Sequence, residues 1–157
     1  MQANIGHVSP EIFNAFPRRF GSEGLTAREA IATGFESVFS YRRLNEQQRG
    51  ELEQLLRDFD HPALTPPLLD KLFAELQPGD QMLVLLLRAL IKKPPLLVLD
   101  EPYSGMSRET IDKVNAFIEH KLDPRQAVII ITHFEEELPS CIDRGLRLED
   151  GAVAQQW

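Results

Sequence analysis

The chain has 157 residues, of which 43% are hydrophobic and 26% are charged, and this composition indicates a folded globular domain rather than a disordered segment. The formal net charge of -7 argues against a nucleic-acid partner, because the phosphates would be repelled. An acidic surface that keeps the protein in solution accounts for this charge equally well. The apolar stretch of residues 82–91 is interrupted by Arg88 and is much shorter than the roughly 20 residues that span a bilayer, so we expect no membrane span.

The single cysteine, Cys141, cannot form an internal disulfide bond, which fits a reducing compartment. We therefore expect an intracellular protein, in the cytoplasm or the mitochondrion. Cys141 has no second cysteine or histidine at metal-ligand spacing, and we interpret it as a buried or incidental thiol.

The first part of the chain predicts a short strand followed by a helical region. Residues 4–9 are typical of a brief strand that Pro10 ends. From residue 11 to about residue 93 the pattern is helical. Four helices are predicted within this region. The first begins with a capping box formed by Thr26 and Glu29, and the second spans 46–59 with Asn45 as its cap. The third spans 68–76, and the fourth spans 81–92 after a turn at 77–80.

The last part of the chain predicts an α/β unit. The uninterrupted apolar runs 96–99 and 127–131 are typical of parallel strands buried on both faces. A helix opened by Ser107 lies between them, which predicts a right-handed crossover. Asp150 and Gly151 predict a hairpin turn near the end. The expected organisation is a strand in residues 1–10, a helical subdomain in 11–93 and an α/β core in 94–157.

Two carboxylates follow the first of these buried strands. Asp100 and Glu101 stand where parallel α/β sheets place ligands, at the carboxyl end of a strand. There Asp100 could hold Mg²⁺ through water, and Glu101 could orient or deprotonate an attacking water molecule. The alternative is that both residues only end the strand.

His133 comes directly after the next strand, so we expect it at the same edge of the sheet as the acidic pair. An imidazole there can donate a hydrogen bond to a phosphoryl oxygen, although a lone histidine is more often structural. The turn before residue 81 opens a helix, and the free N–H groups of a helix N-terminus suit an anion. That last signal is weak by itself, since every helix has an N-terminus.

Taken in order, these segments resemble the ATP-binding-cassette (ABC) ATPases, and the resemblance extends over nearly the whole chain. Tandem members without transmembrane segments, such as the one associated with molybdenum transport, and their fungal relatives are the most similar group. The segments that carry the resemblance are 5–10 as the strand and start of the Q-loop, 76–81 as the signature loop, 97–102 as the Walker B strand, 104–107 as the D-loop, His133 as the switch histidine and 143–151 as the closing strands.

The resemblance implies a partial P-loop NTPase fold, with a helical signature subdomain and a parallel-sheet core that lacks the Walker A segment. It implies that ATP and Mg²⁺ bind, with Asp100 at the metal and Glu101 and His133 as catalytic residues. It further implies nucleotide contacts from the signature loop and the D-loop, at Gln77, Gly79, Asp80, Ser104 and Gly105. In the family two cassettes enclose ATP between them, so a second cassette is the expected partner, and a transporter subunit stays open as another.

The chain also departs from the family pattern. No glycine is followed by lysine, so the loop that cradles phosphates is absent, and we expect a fragment, a split gene or an incomplete gene model. Pro10 occupies the Q-loop glutamine position, and Gln77 and Pro78 occupy the signature serine and first glycine positions. Proline has no N–H to offer a phosphate. Ser107 stands where the D-loop usually has aspartate.

Two functions therefore stay open. The first is part of a Mg²⁺-dependent ATPase that is inactive without the missing loop. The second is a non-catalytic cassette fragment that binds and regulates another ABC subunit. A nucleic-acid-binding cassette is a third reading, and it would require basic faces that this acidic chain does not suggest.

Overall fold

The computed structural model describes residues 5–157, so residues 1–4, including Asn4 of the predicted first strand, lie outside the described residues. Its strands are β1 (Ile5–Val8), β2 (Leu96–Asp100), β3 (Ala127–Ile131), β4 (Leu146–Glu149) and β5 (Ala152–Gln156). Its α-helices are α1 (Pro10–Ala15), α2 (Ala27–Ala32), α3 (Glu46–Phe59), α4 (Pro66–Leu69), α5 (Pro78–Leu90) and α6 (Arg108–His120). Among the described residues, no helix is both long enough and apolar enough to cross a bilayer.

Strands β1, β2 and β3 form a parallel sheet in that order, with β2 in the centre. Val8 is aligned with Leu99, and Asp100 is aligned with Ile131. The predicted strand–helix–strand unit of β2, α6 and β3 is therefore confirmed. Because neighbouring parallel strands end at the same edge, the residues that follow β2 and β3 emerge side by side.

The sheet is buried on one face only. Leu97 and Leu99 are inaccessible to solvent and share a core with α5 and α6, whereas Ile129 and Ile131 are 50% and 49% exposed. The prediction that these strands are buried on both faces is therefore wrong for residues 5–157. An apolar run places hydrophobic side chains on both faces, but it does not show how many layers of structure cover them.

Helix α5 is the centre of the core, because every residue from Gln81 to Leu90 is buried. A helix that is apolar on all sides must be surrounded by other elements, and α2 and β1 both pack against α5. Arg88 is the charged residue of this segment. It donates to the Thr33 hydroxyl at 2.8 Å and to the Val38 carbonyl oxygen at 3.1 Å, and burial lowers the pKa of its guanidinium.

The predicted caps of three helices are confirmed, whereas two other helix predictions are wrong. Helix α5 begins at Pro78 and not after a turn at 77–80. Thr26 and Asn45 both form capping boxes, and Ser107 accepts from the Thr110 N–H at 3.2 Å. The predicted helix over 68–76 is wrong: α4 ends at Leu69, and a 3₁₀ turn follows at Phe73–Glu75. Backbone bonds from Ala27 N to Lys71 O and from Phe73 N to Leu25 O hold Leu72 extended opposite Thr26. Tertiary pairing thus overrides the local helical pattern.

Strands β4 and β5 form the predicted antiparallel hairpin, with Asp150 and Gly151 at its turn. Their φ angles of 49° and 79° are the left-handed values that a two-residue hairpin turn requires. The division into residues 1–10, 11–93 and 94–157 stays a prediction. Residues of the proposed helical subdomain and of the α/β core belong to one hydrophobic cluster.

Candidate functional site

The chain turns sharply where β2 ends, and this turn places Asp100 and Glu101 at the carboxyl edge of the sheet. Glu101 has φ = 49°, a left-handed conformation that costs a residue with a side chain about 1–2 kcal/mol. Its backbone N–H donates to the Ile131 carbonyl oxygen at 2.8 Å, so the ladder between β2 and β3 continues through the strained residue. Backbone strain held in place by tertiary bonds is a common property of functional sites.

His133 lies beside this acidic pair. Its Nε2 atom is 3.6 Å from Oε1 of Glu101, and their side chains are 88% and 28% exposed. The structure therefore brings the predicted histidine and the predicted carboxylate together at one edge of the sheet. An exposed imidazole beside a half-buried carboxylate can donate a hydrogen bond to an anion that arrives from solvent.

The donor set at this edge fits Mg²⁺ bound together with a phosphate ligand. No group of three or more acidic, histidine or cysteine side chains that could enclose a metal occurs among the described residues. Mg²⁺ does not require such a cage, because it keeps several waters and uses one or two carboxylates with substrate phosphates. Asp100 supplies a carboxylate of this kind at the end of β2.

The loops at residues 76–81 and 104–107, which are predicted to be the signature loop and the D-loop, contact each other through two glycines. An added Cβ atom on Gly79 would lie 2.2 Å from the Gly105 carbonyl oxygen, so alanine does not fit without a shift of the backbone. Gly105 itself has φ = 73°, which favours glycine. The D-loop is tied in turn to the acidic pair, since Ser104 N donates to the Glu101 carbonyl oxygen at 3.4 Å.

The signature loop leads into helix α5 without a side-chain cap. Gln77 is the N-cap residue, and its side chain makes no capping bond. It therefore does not bond to the N–H groups of Gly79 and Asp80. Pro78 stands at the first helical position, where proline is favoured because its missing N–H would have no partner inside the helix. The departure from glycine at residue 78 is therefore compatible with the helix, although it removes one donor.

Gln81, the last residue of the signature segment, is part of the core. It is 6% exposed, its Nε2 donates to the Phe73 carbonyl oxygen at 2.9 Å, and its Oε1 accepts from Arg18 at 3.3 Å. Both ends of this amide have partners inside the protein, so we assign it a structural role.

Sequence reasoning missed two residues that tie this edge together, Tyr103 and Asn115. Tyr103 is buried in the turn that follows the acidic pair, and its hydroxyl donates to Asn115 Oδ1 at 2.8 Å. The position of Tyr103, two residues after Glu101, was a signal that could have been noticed. Asn115 gave no signal, because a polar residue within a helix is ordinarily solvated.

The family model described as "ABC transporter" matches residues 2–104. The chain belongs to the ABC transporter family. The predicted resemblance is thereby confirmed over the segment from β1 to the D-loop.

Several curated members of the ABC family align with almost the whole chain. An uncharacterized ABC transporter ATP-binding protein of Schizosaccharomyces pombe is 34% identical over 153 residues, which is 98% of this chain and 30% of that protein. A second uncharacterized member from Saccharomyces cerevisiae is 33% identical and aligns with 90% of this chain and 26% of its own length. ModF of Escherichia coli is 30% identical over 98% of this chain and 30% of its own length. The chain thus spans less than a third of each of these relatives, and the expected fungal similarity is confirmed.

Solved ABC structures share the fold. The ATP-binding cassette MJ0796, in a dimeric post-hydrolysis state with ADP and Pi, superposes with a TM-score of 0.71 at 21% identity, over 98% of this chain and 62% of that one. A second dimeric structure of the same cassette gives a TM-score of 0.70 at 19% identity. The expected α/β fold of the P-loop NTPase type is confirmed.

Proposed function

We propose that this chain contributes the hydrolytic residues of a Mg²⁺-dependent ABC ATPase, which converts ATP and water to ADP and phosphate. The observation that carries the proposal is the 3.6 Å approach of His133 Nε2 to Glu101 Oε1 at the carboxyl edge of adjacent parallel strands. Membership of the ABC transporter family supports the choice of ATP as substrate.

Each residue at this edge has a distinct proposed task. Glu101 orients the attacking water and accepts a proton from it, as a positioned carboxylate can. His133 donates a hydrogen bond to an oxygen of the transferred phosphoryl group and stabilises the charge that develops there. Asp100 holds Mg²⁺ through water, and the bound metal neutralises charge on the phosphate oxygens. We propose nucleotide contacts for the loop residues Gln77, Gly79, Asp80, Ser104 and Gly105.

The loop that cradles the phosphates must come from residues other than these 157. No glycine in the 157 residues is followed by lysine, so these residues cannot supply the Gly-Lys-Ser/Thr motif. We therefore propose that the chain alone is inactive and that it works with further sequence of its own gene product or with a second cassette. The dimeric arrangement of the MJ0796 cassette supports pairing of this kind. We also predict that a transporter subunit is a further partner. The predicted location is intracellular, in the cytoplasm or the mitochondrion.

Substitution of Glu101 with glutamine in the complete gene product tests the assignment. We expect Mg²⁺-dependent phosphate release to fall roughly 100-fold or more, because the amide cannot accept the proton. Glu149→Gln, at the exposed end of β4, removes the same charge away from the site and should leave turnover unchanged. Equal turnover of wild type and Glu101→Gln would refute the role of Glu101.

A second candidate is a non-catalytic partner that binds and regulates another cassette. The altered signature positions favour it, since Gln77 and Pro78 replace donors that the family uses and Gln81 is committed to the core. This function predicts association with an intact cassette and no turnover, whether residue 101 is glutamate or glutamine. Absence of association in a pull-down with purified cassettes, with and without Mg-ATP, would contradict it.

A further inference from the structure

The loop that carries His133 is anchored by the side chain of Asn115, which belongs to helix α6. Nδ2 of Asn115 donates to the Glu137 carbonyl oxygen at 2.8 Å, and Oδ1 accepts from the Tyr103 hydroxyl at 2.8 Å. Glu137 lies in the loop that follows β3 and carries His133, and Tyr103 lies in the turn that begins at Glu101. One amide therefore joins the segment of the histidine to the segment of the carboxylate.

The orientation of this amide is determined by its carbonyl partner. The Glu137 carbonyl oxygen can only accept a hydrogen bond, so the Asn115 atom that faces it must be the NH₂ group. Oδ1 is then left for Tyr103, whose hydroxyl can donate or accept and here donates to it. Tyr103 is 4% exposed, so its end of this bond is buried.

The other restraints on residues 132–138 are local or exposed. Phe134 N donates to the Thr132 hydroxyl at 3.1 Å, a bond that lies within the loop. Glu135 pairs with Arg147 of β4, and both side chains are about half exposed. Exposed ion pairs restrain a loop weakly, because water and salt screen them. Among the side-chain bonds of the described residues, the bond from Asn115 is thus the part-buried tether of this loop to the core.

We propose that Asn115 is a positioning residue for hydrolysis: it holds residues 132–138 against the turn after Glu101, so that His133 and Glu101 keep their relative placement. This proposal rests on the proposed ATPase function. None of the hydrogen bonds of Asn115 reaches Asp100, Glu101 or His133. Loss of the tether should therefore lower kcat and leave the KM for ATP nearly unchanged.

The substitution Asn115→Asp removes the donor to Glu137 while it keeps the shape of the side chain and the acceptor for Tyr103. Gln126→Glu is a matched control. Nε2 of Gln126 donates to the Pro94 carbonyl oxygen at 2.7 Å, and its Oε1 accepts from Asp123 N at 3.0 Å, at the opposite end of β3. Both changes turn a bridging amide into a carboxylate, and one of them concerns the loop of His133.

Two measurements on the complete gene product separate the outcomes. In Asn115→Asp we expect amide hydrogen exchange of residues 133–138 to rise roughly fivefold or more, and kcat to fall roughly 10- to 100-fold with KM for ATP changed less than about twofold. Gln126→Glu should change neither quantity. Tyr103→Phe removes the hydroxyl that bonds to Asn115 Oδ1 and should lower kcat in the same direction, which keeps the test valid if Asn115→Asp folds poorly.

Unchanged exchange of the loop in Asn115→Asp would overturn the proposal, as would a kcat equal to that of Gln126→Glu. A wild-type protein without turnover would instead refute the proposed function, and with it the catalytic part of this inference. The exchange rates would then still decide whether Asn115 anchors the loop.

Discussion

Replacement of Gly79 with alanine tests the contact between the signature loop and the D-loop. An added Cβ atom would lie 2.2 Å from the Gly105 carbonyl oxygen and 2.8 Å from its carbonyl carbon. Both of these atoms belong to the backbone, so they cannot move aside as a flexible side chain can. A carbon–oxygen contact relaxes to roughly 3.3 Å, and the two loops must therefore separate by about 1 Å.

The energetic cost follows from this geometry. Overpacking of a close contact costs about 1–3 kcal/mol, and the better helix propensity of alanine offsets at most about 1 kcal/mol. We expect Gly79→Ala to lower the free energy of unfolding by roughly 1–2 kcal/mol. The shift should also lower turnover of the complete gene product, because the D-loop is bonded through Ser104 to Glu101.

Gly50→Ala is the matched control for this substitution. Gly50 is an exposed residue of α3, and an added Cβ atom would have no neighbour within 4 Å. Alanine there should raise the free energy of unfolding by about 0.5–1 kcal/mol through helix propensity. Urea denaturation of both variants with unchanged m-values measures the two effects. If both variants are stabilised alike, the close approach of Gly79 and Gly105 is refuted.

Two further predictions concern stability. Burial lowers the pKa of His61, whose ring bonds to Thr110 Oγ1 at 3.0 Å, so the unfolded chain takes up a proton at higher pH than the folded chain. The free energy of unfolding should therefore decrease as pH falls below 6.5, a dependence that His61→Gln removes and that His120→Gln, at an exposed position, retains. Arg88→Ala removes the bonds to Thr33 and to the backbone, and it should cost about 2–4 kcal/mol in thermal unfolding. If the free energy of unfolding falls by less than about 1 kcal/mol, the cost of burying the guanidinium charge is as large as the stabilisation from its hydrogen bonds.

Features that depend on near neighbours in the chain were predictable. The caps at Thr26, Asn45 and Ser107 and the turn at Asp150 and Gly151 involve residues at most a few positions apart, so their chemistry can be read directly. The placement of Asp100, Glu101 and His133 at one edge also followed, since adjacent parallel strands end together. Their catalytic roles stay predictions, because no ligand contact tests them.

Other features were decided by tertiary structure. The extended conformation of Leu72 depends on its antiparallel bridge to Thr26, and this pairing outweighs the local preference for a helix. Likewise, a run of apolar residues did not reveal which face of the sheet the helices cover.

The candidate site likewise combines features that the sequence predicts with features that only the tertiary structure decides. The sequence by itself indicated that an acidic pair and a histidine end two neighbouring strands, because strand ends are local features and parallel strands joined by one helix tend to lie side by side. The bonds of Asn115 join residues that are 12 and 22 positions away, and they exist because helix α6 packs beside both segments. Packing of that kind depends on the shape and burial of many side chains at once, so only the folded structure could place this amide between Tyr103 and the Glu137 carbonyl.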